Sequence, residues 1–271
     1  MNDTLYLLIP IVVLLILIVW WALSSPCGWR AWMLYQITRV YCPLVFRWKA
    51  TNASTIPEHS SAIIIANHTS PVDPMVLWMG HLRSFRRPRM RVIEFMTAKE
   101  YCEQRNIVGW ICRALDAIPV TRSGRDMGPA REALRRLKDS RLLGVFPEGR
   151  INAETPDQQL LPGEVGTAWL ALKSGVPVIP IYVHGAPRAK TMVRCFITPT
   201  RTTLTYGDPI DLSAWTGSRL TQETLREVSD LMMTRLAELG GINPPRRTKS
   251  KRMATEKPKS VARQSDTGRQ G

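Results

Sequence analysis

Acidic residues are scarce in this chain. Asp and Glu total 22 against 37 Lys and Arg over 271 residues, a net charge of +15. Such an excess favours an acidic partner: phosphate, nucleic acid or an anionic membrane face. The five cysteines (Cys27, Cys42, Cys102, Cys112, Cys195) form no C-x-x-C pair. That leaves neither a disulfide framework nor a zinc site, and it fits a reducing compartment. No cluster of side chains suggests a metal, so no metal or redox cofactor is expected. No G-x-S-x-G elbow occurs, which argues against a covalent serine route. Charge is absent altogether from Leu5 to Leu23, a run interrupted only by Pro10. Nineteen residues at 1.5 Å each span about 28 Å, close to the hydrocarbon core of a bilayer. The segment lacks a basic n-region, carries Asp3 instead, and exceeds the usual signal-peptide core. It therefore reads as an uncleaved membrane anchor.

The basic residues present are unevenly placed. Arg30, Arg39, Arg47 and Lys49 follow the apolar run and none precedes it, which puts the C-terminal bulk on the cytoplasmic face. Residues 31–46 are apolar but contain Gln36 and Arg39. They suit an amphipathic helix in the interface, or a core helix of the following domain, better than a second span. Arg83, Arg86, Arg87, Arg89 and Arg91 crowd nine residues. They form either a solvated loop or a surface for anionic head groups or an acidic carrier protein. From Arg246 to Gly271 nine basic residues face two acidic ones, close to half of the net charge. With few apolar residues, that stretch reads as a disordered basic tail. Three regions follow: an anchor with its interfacial helix at 1–49, a central domain at 50–243, and the tail at 244–271.

Within the middle region, strand patterns fall at 62–66, 92–97, 117–121, 142–146, 177–183 and 202–206. Helical patterns lie between several of them, as at 129–139 and 165–174. This alternation predicts an α/β fold with a mostly parallel sheet flanked by helices. In such sheets ligands gather at the carboxyl ends of the strands. Directly after the apolar run Ala62–Ala66 stands Asn67-His68-Thr69-Ser70-Pro71-Val72-Asp73. Ser70-Pro71 reads as a helix start, with Ser as N-cap and Pro in the first turn. The histidine would leave the strand end, and Asp73 would reach back from the first helical turn. A carboxylate on one ring nitrogen leaves the other to accept a proton from a hydroxyl. The bland reading makes His68 a core histidine and Asp73 a favourable charge at a helix N-terminus. Asn67 and Thr69 are expected to support the turn, and His59, His81 and His184 to lie outside the chemistry.

Four segments carry a resemblance. They are His68-x-x-x-x-Asp73, Ala117–Arg122, Val145–Arg150 and Val176–Ile181. Together and in this order they resemble the four sequence blocks of the glycerolipid acyltransferase family, whose type member acylates 1-acylglycerol-3-phosphate. The likeness covers roughly residues 45–210. It implies that His68 deprotonates the acceptor hydroxyl as it attacks an acyl thioester, with Asp73 orienting the imidazole. It further implies that Arg122 binds the acceptor phosphate, that Glu148 helps hold the glycerol, and that Gly149 lets backbone approach the ligand. Arg150 follows the glycine directly, one position earlier than the arginine of the commonest family pattern, and Ile151 comes next. A cation is kept, but its pairing with phosphate is shifted.

The expected partners are therefore a lysophospholipid acceptor, acyl-CoA or acyl carrier protein as donor, and an anionic membrane surface, without nucleic acid. Lysophosphatidic acid is the family's commonest acceptor. Another lysophospholipid, an ornithine lipid or glycerol-3-phosphate stays open. A non-catalytic basic membrane protein would account for the charge and the anchor. It leaves unexplained why His68-Asp73 occurs together with Phe146-Pro147-Glu148-Gly149.

Overall fold

The computed structural model describes residues 3–83, 91–121, 126–155 and 157–245, with side chains from residue 9 onward and up to residue 81 before the first gap. Arg122, three of the clustered arginines and the basic tail from residue 246 onward lie outside the described residues. Along the chain run α1 (Asp3–Leu23), α2 (Gly28–Val45), β1 (Lys49–Ala50), β2 (Ala62–Ala66), α3 (Asp73–Arg83), β3 (Ile93–Ala98), α4 (Lys99–Cys102), α5 (Ile107–Ala114), β4 (Ile118–Val120), α6 (Gly128–Lys138), β5 (Leu142–Val145), α7 (Val165–Ser174), β6 (Val178–His184), α8 (Met192–Ile197), β7 (Thr203–Tyr206) and α9 (Gln222–Gly240).

The strands form one sheet in the order β1-β7-β6-β2-β5-β3-β4. Strands β6, β2, β5, β3 and β4 are mutually parallel. β7 runs antiparallel to β6, and β1 pairs with β7. The α/β layer architecture with a mostly parallel sheet is thus as the alternation of patterns implied. β2 is central and fully buried. Its side chains alternate between two cores, as the two-residue period of a strand requires. Ala62, Ile64 and Ala66 join Leu34, Trp78, Met79 and Phe95 on the face covered by α2, α3 and α5. Ile63 and Ile65 join Leu143, Ala133, Leu170 and Met232 beneath α6, α7 and α9.

α1 and α2 differ in how they use their apolar residues. From Ile9 to Leu23 the large hydrophobics of α1 are exposed. α2 buries Ala31, Leu34, Thr38 and Cys42 against the domain and turns Trp29, Ile37, Val40 and Leu44 outward. It is therefore a core helix on one side and an apolar surface on the other. No single described helix is long and apolar enough to cross a membrane. Ile9–Leu23 and Gly28–Val45 meet that measure only as a pair bent by 115°. Beyond α2, Thr200 and Thr202 donate backbone N–H groups to the carbonyls of Val45 and Phe46. The C-terminus of α2 is thereby tied to the lead-in of β7.

His81, on α3, is fully buried. Burial, with repulsion from Arg91, holds its imidazole down to a pKa of about 3. The unfolded chain takes up this proton near the ordinary value of 6.5, whereas the folded chain stays neutral down to about 3. Stability is therefore complete above the unfolded value and declines as pH falls between the two, by up to about 1.4 kcal/mol per pH unit. Chemical denaturation in detergent at pH 6.5 and 5 should show a loss of about 2 kcal/mol in the wild type. His81→Leu should lose markedly less. An unchanged acid slope in the variant would refute the assignment.

Candidate active site

β2 ends at Ala66 beneath a short loop that is held from several sides. Asn67 is fully buried. Its amide donates to the Val183 carbonyl at 3.0 Å and accepts from the Val183 N–H at 2.7 Å. The side chain thus continues the pairing to β6 for one residue after the strand has finished. The chain then turns outward, and His68 emerges at the carboxyl end of the parallel strands with 18% of its side chain exposed.

The imidazole meets Asp73 as the spacing predicts. Nδ1 of His68 lies 3.0 Å from Oδ2 of Asp73. The same oxygen accepts the backbone N–H groups of Thr69 and Ser70, each at 2.8 Å. Asp73 has no exposed side-chain surface and is the first residue of α3, where the helix dipole favours a negative charge. The expected helix start at Ser70-Pro71 is corrected here. Residues 70–72 form a turn, and α3 begins at Asp73, with the Val72 carbonyl accepting from Met75 and Val76. The Ser70 hydroxyl accepts the Val72 N–H at 3.4 Å within that turn and donates to the Pro187 carbonyl at 2.6 Å, pinning the loop to the segment after β6.

Glu148 approaches the same loop from the end of β5. It is 4% exposed. One carboxylate oxygen accepts the His68 N–H at 2.9 Å and the other accepts the Leu161 N–H at 2.8 Å. Burial pushes its carboxyl above the usual carboxylate range, against the lowering effect of those two bonds. The glutamate thus braces the histidine's backbone, whereas the resemblance implies a contact with substrate glycerol. Gly149 adopts a positive φ of 68° and closes a turn in which its N–H meets the Phe146 carbonyl. That backbone conformation is the one glycine adopts at little cost. Arg150 is exposed. Two residues on, the Asn152 N–H donates to the His68 carbonyl at 2.7 Å. The Gly149–Asn152 turn therefore wraps the histidine and carries Arg150 at its rim.

Two further contributors carry no role assigned from the sequence: Asn152, which lies outside every motif, and Phe146, which lies inside one. Asn152 is buried and holds the Gln159 carbonyl and the Thr155 N–H. Phe146 stacks on the His68 ring, with centroids 4.0 Å apart and an interplanar angle of 14°. Phe95 stacks on Phe146 in turn, at 5.5 Å and 13°. Gly144 makes room for this column, because a Cβ there would collide with the Phe95 ring. Among the described residues no group of three His, Cys, Asp or Glu side chains is placed to hold a metal ion.

A central α/β sheet with a histidine held by a buried carboxylate at its carboxyl rim is a class of arrangement suited to acid–base chemistry. Comparison narrows the class. A family model described as Acyltransferase matches residues 47–184, just over half of the chain. The chain belongs to this acyltransferase family. An uncharacterised acyltransferase of Schizosaccharomyces pombe is 31% identical over 166 residues, 58% of this chain and 56% of that protein. The 1-acyl-sn-glycerol-3-phosphate acyltransferase of Limnanthes alba is 26% identical over 185 residues, covering 66% and 61%. The Bacillus subtilis protein of that name is 25% identical over 146 residues, covering 54% and 67%. The crystal structure of the 1-acyl-sn-glycerophosphate acyltransferase of Thermotoga maritima shares the fold. Its TM-score is 0.58 at 22% identity, over 83% of this chain and 86% of that one. The matches to the first curated relatives span only about three-fifths of their length.

Two outcomes test the bracing described above. Glu148→Ala should strand the N–H groups of His68 and Leu161 and cost about 2–4 kcal/mol. That corresponds to roughly 5–15 °C in a thermal melt, and a melt within a degree or so of wild type would contradict the brace. Gly144→Ala should tilt the Phe95–Phe146–His68 column at an overpacking cost of about 1–3 kcal/mol. Its turnover number should fall more than its folded fraction. Unchanged turnover in a folded variant would show that the column does not position the imidazole.

Proposed function

We propose that the protein is a membrane-surface O-acyltransferase that moves a fatty acyl group from a thioester donor to the hydroxyl of a lysophospholipid. Lysophosphatidic acid is the leading acceptor, and acyl-CoA or acyl carrier protein is the donor. The contact between His68 and the buried Asp73, at the carboxyl rim of the central strand, carries the reading. Nδ1–H held by the carboxylate leaves Nε2 as the proton acceptor. Nε2 takes the hydroxyl proton while the hydroxyl oxygen attacks the thioester carbonyl. The tetrahedral intermediate then expels the thiolate, and the imidazolium returns the proton to sulfur. The products are an ester and a thiol. Asp73 orients the imidazole and faces the imidazolium as it forms, held in place by two backbone N–H groups. Phe146 offers a π-face to the imidazolium as charge develops.

Arg122 and Arg150 are the proposed phosphate partners. Arg150 is supported by its exposed place on the turn that wraps His68, and Arg122 by the resemblance alone. The exposed apolar residues of α1, together with Trp29, Ile37, Val40 and Leu44 of α2, support seating on a bilayer. The basic residues after α1 favour the cytoplasmic side. The mechanism calls on no metal or redox group.

The test is purification in detergent with radiolabelled acyl-CoA or acyl carrier protein and a panel of lysolipids. Wild type should give product with at least one acceptor. His68→Ala should lower the rate by about 10²- to 10⁴-fold while membrane partitioning is kept. Undiminished activity in the variant would remove His68 as the base. Failure of every acceptor with wild type would favour a non-catalytic basic membrane protein instead.

A further inference from the structure

A cavity of about 430 Å³ opens at the end of the sheet opposite His68. Its floor is built by Val92, Glu94 and Leu142 at the starts of β3 and β5. One wall is Arg113 and Asp116 at the end of α5, and the other is the elbow Pro26–Arg30 where α1 passes into α2. Its charges do not cancel. Glu94 and Asp116 are matched by Arg136 and Arg141, at 2.7–3.2 Å. Arg30, Arg91 and Arg113 have no carboxylate partner among the described residues. Arg91 gives its guanidinium to the carbonyls of Pro57, Ser60 and Ser140. Arg113 donates to the carbonyls of Cys102 and Gln104. Arg30 rests over the Trp29 ring at 5.1 Å. Carbonyl dipoles orient a guanidinium without neutralising it, so three residues that line one concave space carry positive charge unmatched by a carboxylate.

We propose that this cavity binds the phosphate of an anionic phospholipid headgroup, at a site separate from the acceptor pocket. Its volume suits a small polar group, and guanidinium forks match phosphate oxygens. Its position supplies the lipid. The elbow follows the exposed apolar surface of α1; Trp20 and Trp21 are exposed in the last turn of that helix and Trp29 lines the cavity itself, and such rings favour the headgroup level. The site rests on the membrane-surface reading above but not on the acyl-transfer chemistry. α2 is 18 residues long and covers about 27 Å. It runs from this cavity to Phe46, beside the catalytic rim. A headgroup seated here fixes the far end of α2 on the bilayer while its near end presents the active site.

Cys27 lines the cavity and reports its occupancy. The full-length protein would be placed in nanodiscs of phosphatidylcholine, with or without phosphatidylglycerol, and maleimide labelling at Cys27 followed by peptide-resolved mass spectrometry. Phosphatidylglycerol should slow the labelling several-fold. Arg30→Ala/Arg113→Ala should need roughly 30-fold more anionic lipid for equal protection, from the loss of two cation–headgroup contacts. Arg219→Ala/Arg226→Ala removes the same charge near and on α9, across the sheet, and should protect like wild type. Protection by inorganic phosphate in detergent, without any by phosphatidylglycerol, would keep the phosphate site and assign it to a soluble anion. Equal labelling with and without either anion overturns the proposal, as does equal loss in the α9 control. Labelling requires no turnover, so an inactive enzyme would leave this result interpretable.

Discussion

Three N–H groups converge on one carboxylate oxygen, Oδ2 of Asp73, and the geometry of the catalytic loop follows from that convergence. An ionised carboxylate with no solvent exposure is expensive unless its charge is met by donors. Here the backbone N–H groups of Thr69 and Ser70, the start of α3 and the imidazole all face that charge. The loop is consequently shaped around the aspartate, and the histidine enters a position already made. The shared oxygen also fixes which ring nitrogen holds the proton in the resting state.

Glu148 repeats the device from another direction. Asp73 reaches the loop from α3 through side chain and backbone, whereas Glu148 reaches the His68 N–H from the end of β5. Asn67 ties the same loop to β6, and Ser70 ties it to the segment beyond. Four neighbouring elements therefore share in placing one residue. The aromatic column beneath the imidazole adds a link through Phe146 and Phe95 to β3. Precision of this kind comes from the scaffold and not from the loop's own stiffness.

The central strands were legible because they are buried on both faces, so their sequences are nearly continuous apolar runs. The pattern at 62–66 coincides with β2, and the helical pattern at 165–174 coincides with α7. The His68–Asp73 contact was legible because five residues across a strand–helix turn bring the two side chains together. Other features depend on partners far along the chain. β1 is two exposed residues that become a strand only by pairing with β7. Glu94 sits in an apolar strand and is accommodated by Arg136 and Arg141, more than forty residues away. Ser70 turns its hydroxyl to the Val72 N–H as a cap does, but the helix waits until Asp73 and the same hydroxyl also reaches the distant Pro187 carbonyl. Glu148 reads as a ligand contact because sequence does not show which way a carboxylate faces. Its two bonds to backbone show that it faces inward.

The margins of the sheet carry a consequence of their own. At one end β1 offers only two residues. At the other, β4 is three residues long with Pro119 at its centre, and proline brings no N–H to a ladder. Among the described residues neither border strand is long enough to offer an extended run of free backbone to another strand. Copies gathered at high density are thereby protected from polymerising edge to edge. Helical surfaces, where specificity is set by side chains, are then the broader faces available for association.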